Sequence, residues 1–127
     1  MDDQLTGKII AAAYAVYNTL GFGFLEKIYE NAMLHELRKN GFSVAQQAPL
    51  AVYYDERVIG EFFMDLYVEE EIVVELKSVL NLHIEHEVQL VNYLTATRKD
   101  IGLLINFGPN GVEVKRKYRL YRRRLGS

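Results

Sequence analysis

The run Ile101-Gly102-Leu103-Leu104-Ile105-Asn106-Phe107 is apolar at nearly every position and lacks the polar alternation of a half-exposed strand. A short continuous run of this kind suits a strand buried on both faces. A sheet with such a strand needs helices to cover it. A second apolar run, Ile72-Val73-Val74-Glu75-Leu76-Lys77-Ser78-Val79, adds a constraint, because it carries a carboxylate and an ammonium two residues apart. Side chains alternate along a strand, so Glu75 and Lys77 share a face. Burying either charge alone costs several kcal/mol. Either the two pair with each other, or a metal ion and a reacting phosphate sit beside them.

The rest of the chain supplies the covering helices. Over residues 5–20, Leu5, Ile9, Ala12, Ala13, Val16, Tyr17 and Leu20 fall at helical spacing, with Gly21 as a stop. A second helical pattern covers residues 24–40, offering Leu25, Ile28, Tyr29, Ala32, Met33 and Leu37 to the core and closing at Asn40-Gly41. From Phe42 the period becomes extended. Strands are expected over residues 50–54, 58–68 and 72–79, around turns at Asp55-Glu56 and Glu69-Glu70-Glu71. In the second strand the even positions, Val58 to Val68, are apolar or glycine, whereas Glu61 and Asp65 occupy the other set. A third helix is expected over residues 81–97, with Val88, Val91 and Leu94 in its core stripe, and a last strand over 112–118 after Gly108-Pro109-Asn110-Gly111. This order means an α/β fold, a mixed central sheet of about five strands flanked by helices.

Composition limits the chemistry. With 127 residues, half of them hydrophobic, the chain suits one domain over residues 1–127 that buries roughly two thirds of its unfolded surface. The absence of cysteine excludes disulfides, thiol catalysis and thiolate zinc sites, and suits a reducing cytoplasm. Only three histidines are present, and only His83 and His86 stand close together, which disfavours a zinc hydrolase. No apolar run approaches the ~20 residues of a membrane span, and the Met1-Asp2-Asp3 start is not that of a signal peptide. The expectation is a soluble, cytoplasmic domain with no membrane partner. Net charge is −2, but residues 115–124 hold seven of the 15 basic residues and no acid. That basic C-terminal stretch suits phosphate contacts or, equally, a solvated tail or strand end.

The turn at residues 69–71 sets a register. It puts Val68 opposite Ile72 and Asp65 opposite Glu75, whose β-carbons would be about 5 Å apart on one face. A loop one residue shorter or longer would separate the two carboxylates onto opposite faces. Carboxylates this close repel and need a cation between them. Lys77 supplies one charge, and two carboxylates with a backbone carbonyl and waters make an oxygen shell suited to Mg²⁺ or Mn²⁺. Spacing alone leaves this site and a cross-strand salt bridge both open.

Asp65, nine intervening residues and then Glu75-Leu76-Lys77 resemble the signature of the PD-(D/E)XK nuclease superfamily. Upstream, Gly23-Phe24-Leu25-Glu26-Lys27-Ile28-Tyr29 resembles the motif of the bacterial GxxExxY proteins, a branch of that superfamily. Downstream, Gln89-Leu90-Val91-Asn92-Tyr93 is similar to the Gln-xxx-Tyr motif of its exonuclease-like members. The three stand in matching order over nearly the whole chain. The superfamily's frequent proline before the first aspartate is Met64 here.

The resemblance implies a restriction-endonuclease-like core. It makes Asp65, Glu75 and the Leu76 carbonyl the metal ligands and Lys77 the catalytic lysine. Glu26 would join as a ligand through water or as a base positioning it, although a first-turn glutamate is also favoured by the helix dipole alone. Gln89 and Tyr93, four apart on one helix face, would meet Lys77 or the metal waters and a phosphate, respectively. Tyr93 is equally readable as a core aromatic. His86 is readable as a proton shuttle or as a partly exposed helix residue. Tyr29 is expected in the core, its hydroxyl holding Glu26.

The function so implied is a Mg²⁺- or Mn²⁺-dependent hydrolysis of DNA phosphodiester bonds by a metal-activated water. Single-stranded, duplex and branched DNA are all open as substrates. The rival is a binding or regulatory module that keeps the fold without cutting. A chain this small has little surface to grip a duplex, which leaves room for a homodimer or a partner protein that supplies specificity.

Overall fold

The computed structural model describes residues 3–120. Its elements are α1 (Asp3–Leu20), α2 (Glu26–Lys39), β1 (Val44–Tyr54), β2 (Arg57–Val68), β3 (Ile72–Lys77), α3 (Ile84–Thr97), β4 (Ile101–Gly108) and β5 (Gly111–Tyr118). The strands form one sheet in the order β1-β2-β3-β4-β5, antiparallel except for the parallel pair β3 and β4. Helix α3 makes the crossover that a parallel pair requires. The mixed five-stranded sheet flanked by helices is thus the one expected.

Two cores lie on opposite faces. On one, Ile9, Ala13 and Val16 of α1 and Tyr29, Met33 and Leu37 of α2 cover Leu66, Ile72, Val74, Leu76, Leu103, Ile105 and Phe107. Tyr29 stacks on Phe107 with ring centroids 4.4 Å apart. On the other, Leu90 and Leu94 of α3 cover Met64, Val73 and Leu104. Every residue of β4 is buried, as its sequence demands. Three expected core residues stay outside: Leu25 and Ile28 precede or open the exposed side of α2, and Val88 lies on the outer face of α3, which turns Leu90 inward beside the expected Leu94.

Asn106 interrupts the apolar run for a structural reason. It is fully buried, accepts the Val79 N–H at 2.9 Å, and donates to the Val79 carbonyl at 3.0 Å and to Glu113 at 3.0 Å. It thereby fixes the chain that leaves β3. Asn106→Ala is expected to cost roughly 2–3 kcal/mol, because two backbone groups of Val79 lose their partner; denaturant unfolding measures the loss.

The β1–β2 ribbon departs from the expected alternation. Val44, Leu66 and Val68 face α1 and α2, whereas Ala48, Leu50, Phe62 and Met64 pack on the α3 side, although all are even-numbered. Ladder pairs run from Gln46↔Leu66 directly to Ala48↔Met64, and Gln47 between them has a left-handed backbone with φ 52°. The ribbon exchanges faces at Gln47 and Asp65. An unbroken set of even apolar positions conceals that exchange.

The basic stretch begins within the sheet, since residues 115–118 end β5. Lys117 pairs with Glu87 at 2.6 Å and holds its carboxyl below the usual range, and Arg119 pairs with Asp100 at 2.8 Å. Arg122, Arg123 and Arg124 lie outside the described residues.

Candidate active site

The site opens where the ribbon turns over. Ladder pairing between β2 and β3 runs Val68↔Ile72, Tyr67↔Val73 and Leu66↔Val74, the register set by the turn at 69–71, and stops one step before Asp65 and Glu75. Those two residues join the strands by side chains instead. The Asp65 carboxylate accepts the Leu76 N–H at 2.8 Å, and the Glu75 carboxylate accepts the Asp65 N–H at 3.1 Å. In an extended strand the N–H and C=O of one residue point the same way, so the Leu76 carbonyl is also directed toward this gap.

Glu75 and Lys77 lie on the α3 face, half-buried, and line a small cavity of about 30 Å³ with His86, Gln89, Leu90, Tyr93 and Leu104. Among the described residues Lys77 makes no ion pair or hydrogen bond, so the mutual salt bridge that spacing allowed does not form. Burial, followed by repulsion from Asp65, pushes the Glu75 carboxyl up to about 8 against a partial offset from the Asp65 N–H and Lys77. Burial also raises Asp65, opposed by the Leu76 N–H. Two carboxylates held together in this state are short of positive charge.

A third carboxylate escaped notice in the sequence. Glu30 of α2 is buried and raises both Asp65 and Glu75 by its charge. It accepts from Lys27 at 2.9 Å, Gln46 at 2.6 Å and Gln47 at 3.0 Å, and Gln47 also donates to Asp65 at 3.2 Å. The available signal was its place four residues after Glu26, one helical turn along the same stripe. Glu26 itself is exposed at the first position of α2, and its charge is felt at Asp65.

Two expected contacts differ, and His86 has a capping role. The buried Tyr29 hydroxyl does not hold Glu26; it donates to the Gly21 carbonyl and accepts the Phe24 N–H at 3.3 Å. Gln89 does not reach Lys77; its amide donates to the Tyr93 hydroxyl at 2.6 Å, while the Tyr93 ring stacks on Phe62 at 3.6 Å between centroids. His86 uses its Nδ1 to accept the His83 N–H at 3.4 Å, at the start of α3.

Among the described residues no group of three carboxylates or imidazoles stands close enough to hold a metal. Asp65 and Glu75 with a strand carbonyl nevertheless fit an ion such as Mg²⁺, which takes one or two carboxylates and keeps waters or phosphate oxygens for its other positions. Their shortage of positive charge is the structural sign of that fit.

A mixed sheet covered by helices on both faces, opening around an aspartate, a glutamate and a lysine at its centre, is that of the restriction-endonuclease-like α/β domains. The sequence matches the PD-(D/E)XK nuclease superfamily over residues 3–117, and the chain belongs to that superfamily. Nucleases of that superfamily generally use divalent metals. A solved structure described as the crystal structure of SSO0001 has the same fold, with a TM-score of 0.59 and 17% identity over 76% of this chain and 52% of that one. The chain therefore spans about half the length of that protein. No curated protein matches the sequence. Among the described residues no helix is long and apolar enough to cross a membrane.

Proposed function

We propose that this chain is a metal-dependent deoxyribonuclease of the GxxExxY branch, using Mg²⁺ or Mn²⁺. The reading is carried by the clasp of Asp65, Glu75 and the Leu76 backbone beside Lys77, which has no ion pair or hydrogen bond among the described residues. Asp65, Glu75 and the Leu76 carbonyl would hold the ion, with Glu26 as a further ligand through water or as a base that positions the water. A bound divalent ion supplies Lewis-acid polarisation of the phosphodiester and lowers the pKa of a water. Lys77 orients the attacking water or offsets charge developing on the phosphate. Gln89 fixes the Tyr93 hydroxyl at the cavity wall, where it meets a phosphate oxygen. Glu30, through Gln47, positions Asp65. A homodimer or partner protein adds the grip that a small domain lacks.

The test is incubation with single-stranded, duplex and branched DNA, with Mn²⁺ or with a chelator. Cleavage is expected only with metal and is expected to fall at least about 100-fold in Glu75→Ala. Cleavage unaffected by Glu75→Ala would mark a contaminant. Binding without cleavage in any metal would favour the non-cutting module.

A further inference from the structure

The loop ahead of α2 holds apolar side chains out to solvent in a fixed posture. Leu25 is 79% exposed and Phe24 46%, with Phe22, Ile28 and Leu80 exposed as well. Exposed apolar residues on a slack loop would need no explanation. This loop is tied down. Tyr29, buried and stacked on Phe107, bonds both the Gly21 carbonyl and the Phe24 N–H, and the Phe24 carbonyl accepts the Ser78 hydroxyl at 3.0 Å. Gly21 and Gly23 have φ of +71° and +118°, a backbone that other residues rarely adopt. The fold thus sustains the posture from the core outward.

Its place decides what it meets. Ser78 directly follows Lys77, and Leu25 directly precedes Glu26, whose charge is felt at Asp65. The loop therefore borders the site from the α2 side of the sheet, with the Lys77 cavity on the α3 side, and offers its apolar side chains to the nucleotide flanking a reacting phosphate. The cavity beside Lys77, about 30 Å³, has room for water but not for a base. In an intact duplex the bases are paired and stacked on one another, so their faces are closed to the Phe24 ring. An unpaired strand can turn its bases to the loop instead, where aromatic and aliphatic faces bind them without regard to sequence.

We propose that residues 21–25 form a stacking rim for unpaired nucleobases, which makes DNA with single-stranded or frayed ends the substrate class. The rim rests on reading the Asp65 and Glu75 site as a phosphodiesterase centre. Phe24 takes a base by its ring, and Leu25 closes the contact.

The experiment measures binding of a single-stranded oligonucleotide containing 2-aminopurine and of a blunt hairpin duplex of the same length, with Ca²⁺ in place of Mn²⁺. Wild type, Phe24→Ala and the fully surface-located Leu25→Ser are compared, and cleavage is followed separately in Mn²⁺. Single strands are expected to bind about tenfold tighter than the duplex, with a change in 2-aminopurine emission. Phe24→Ala is expected to remove that preference and the emission change, and Leu25→Ser to weaken single-strand binding about threefold, with duplex binding unchanged. Equal affinity for both DNAs, or single-strand binding unchanged in both variants, overturns the rim. Indiscriminate cleavage with those results leaves the nuclease reading standing. Selective binding lost in the variants, with no cleavage in any metal, upholds the rim while the nuclease reading fails.

Discussion

Lys77→Met is expected to lower DNA cleavage about 10²- to 10³-fold while leaving the protein folded. The size follows from where the ammonium sits. Lys77 is half-buried beside Glu75 in a site with little water, so its charge acts through a lower dielectric than at the surface. It has no ion pair or hydrogen bond among the described residues, so no structural contact is lost with it. Methionine keeps the length and apolar stem of the side chain. The expected signature is a fall in kcat with an unchanged unfolding midpoint at pH 5, where Glu75 is protonated in either variant. A variant that cuts at the wild-type rate would remove Lys77 from the chemistry. One that unfolds would show the ammonium to be structural.

The sequence made the frame of this site legible, and the reasons are local. The apolar run of β4 could be satisfied only under two covered faces, and the change of period at Phe42 separated the first two helices from the sheet. The short turn at 69–71 fixed Val68 against Ile72, from which the approach of Asp65 to Glu75 followed. What escaped was the break in the ladder at Asp65. Apolar residues recur at even positions on both sides of it, and periodicity cannot register that the strand has turned over. The left-handed Gln47 causes the turn, and a glutamine in that conformation has no sequence mark. The first strand was expected only from residue 50, whereas β1 begins at Val44 and takes in Pro49, because an edge strand accommodates a residue with no N–H. Polar Gln46 and Gln47 hid the first part of that strand for the same reason that they matter: both donate to the buried Glu30.

The metal-free protein is expected to lose stability as pH rises from about 4.5 to about 8, and a divalent ion is expected to reverse the loss. Glu75 has an ordinary value of 4.5 and is pushed up to about 8 in the fold. Between these limits the unfolded chain has released the proton that the folded chain still holds. The native state then binds more protons than the unfolded one, so stability falls with pH. The contribution is full below 4.5 and gone above 8. Asp65, raised by burial from 3.8, acts in the same direction. The whole effect is on the order of several kcal/mol, large against the 5–15 kcal/mol that hold a domain of this size together. Urea unfolding at pH 5, 6.5 and 8 in a chelator reads it, and Glu75→Gln, which keeps the neutral form at every pH, is expected to flatten the slope. Mn²⁺ is expected to stabilise wild type more at pH 8 than at pH 5, because the ion must displace the Glu75 proton, and to do little for Glu75→Gln. Equal slopes for wild type and Glu75→Gln would show that Glu75 ionises freely without metal. The clasp with Asp65 would then be a strand contact, and the strain that makes the site receptive to a cation would be absent.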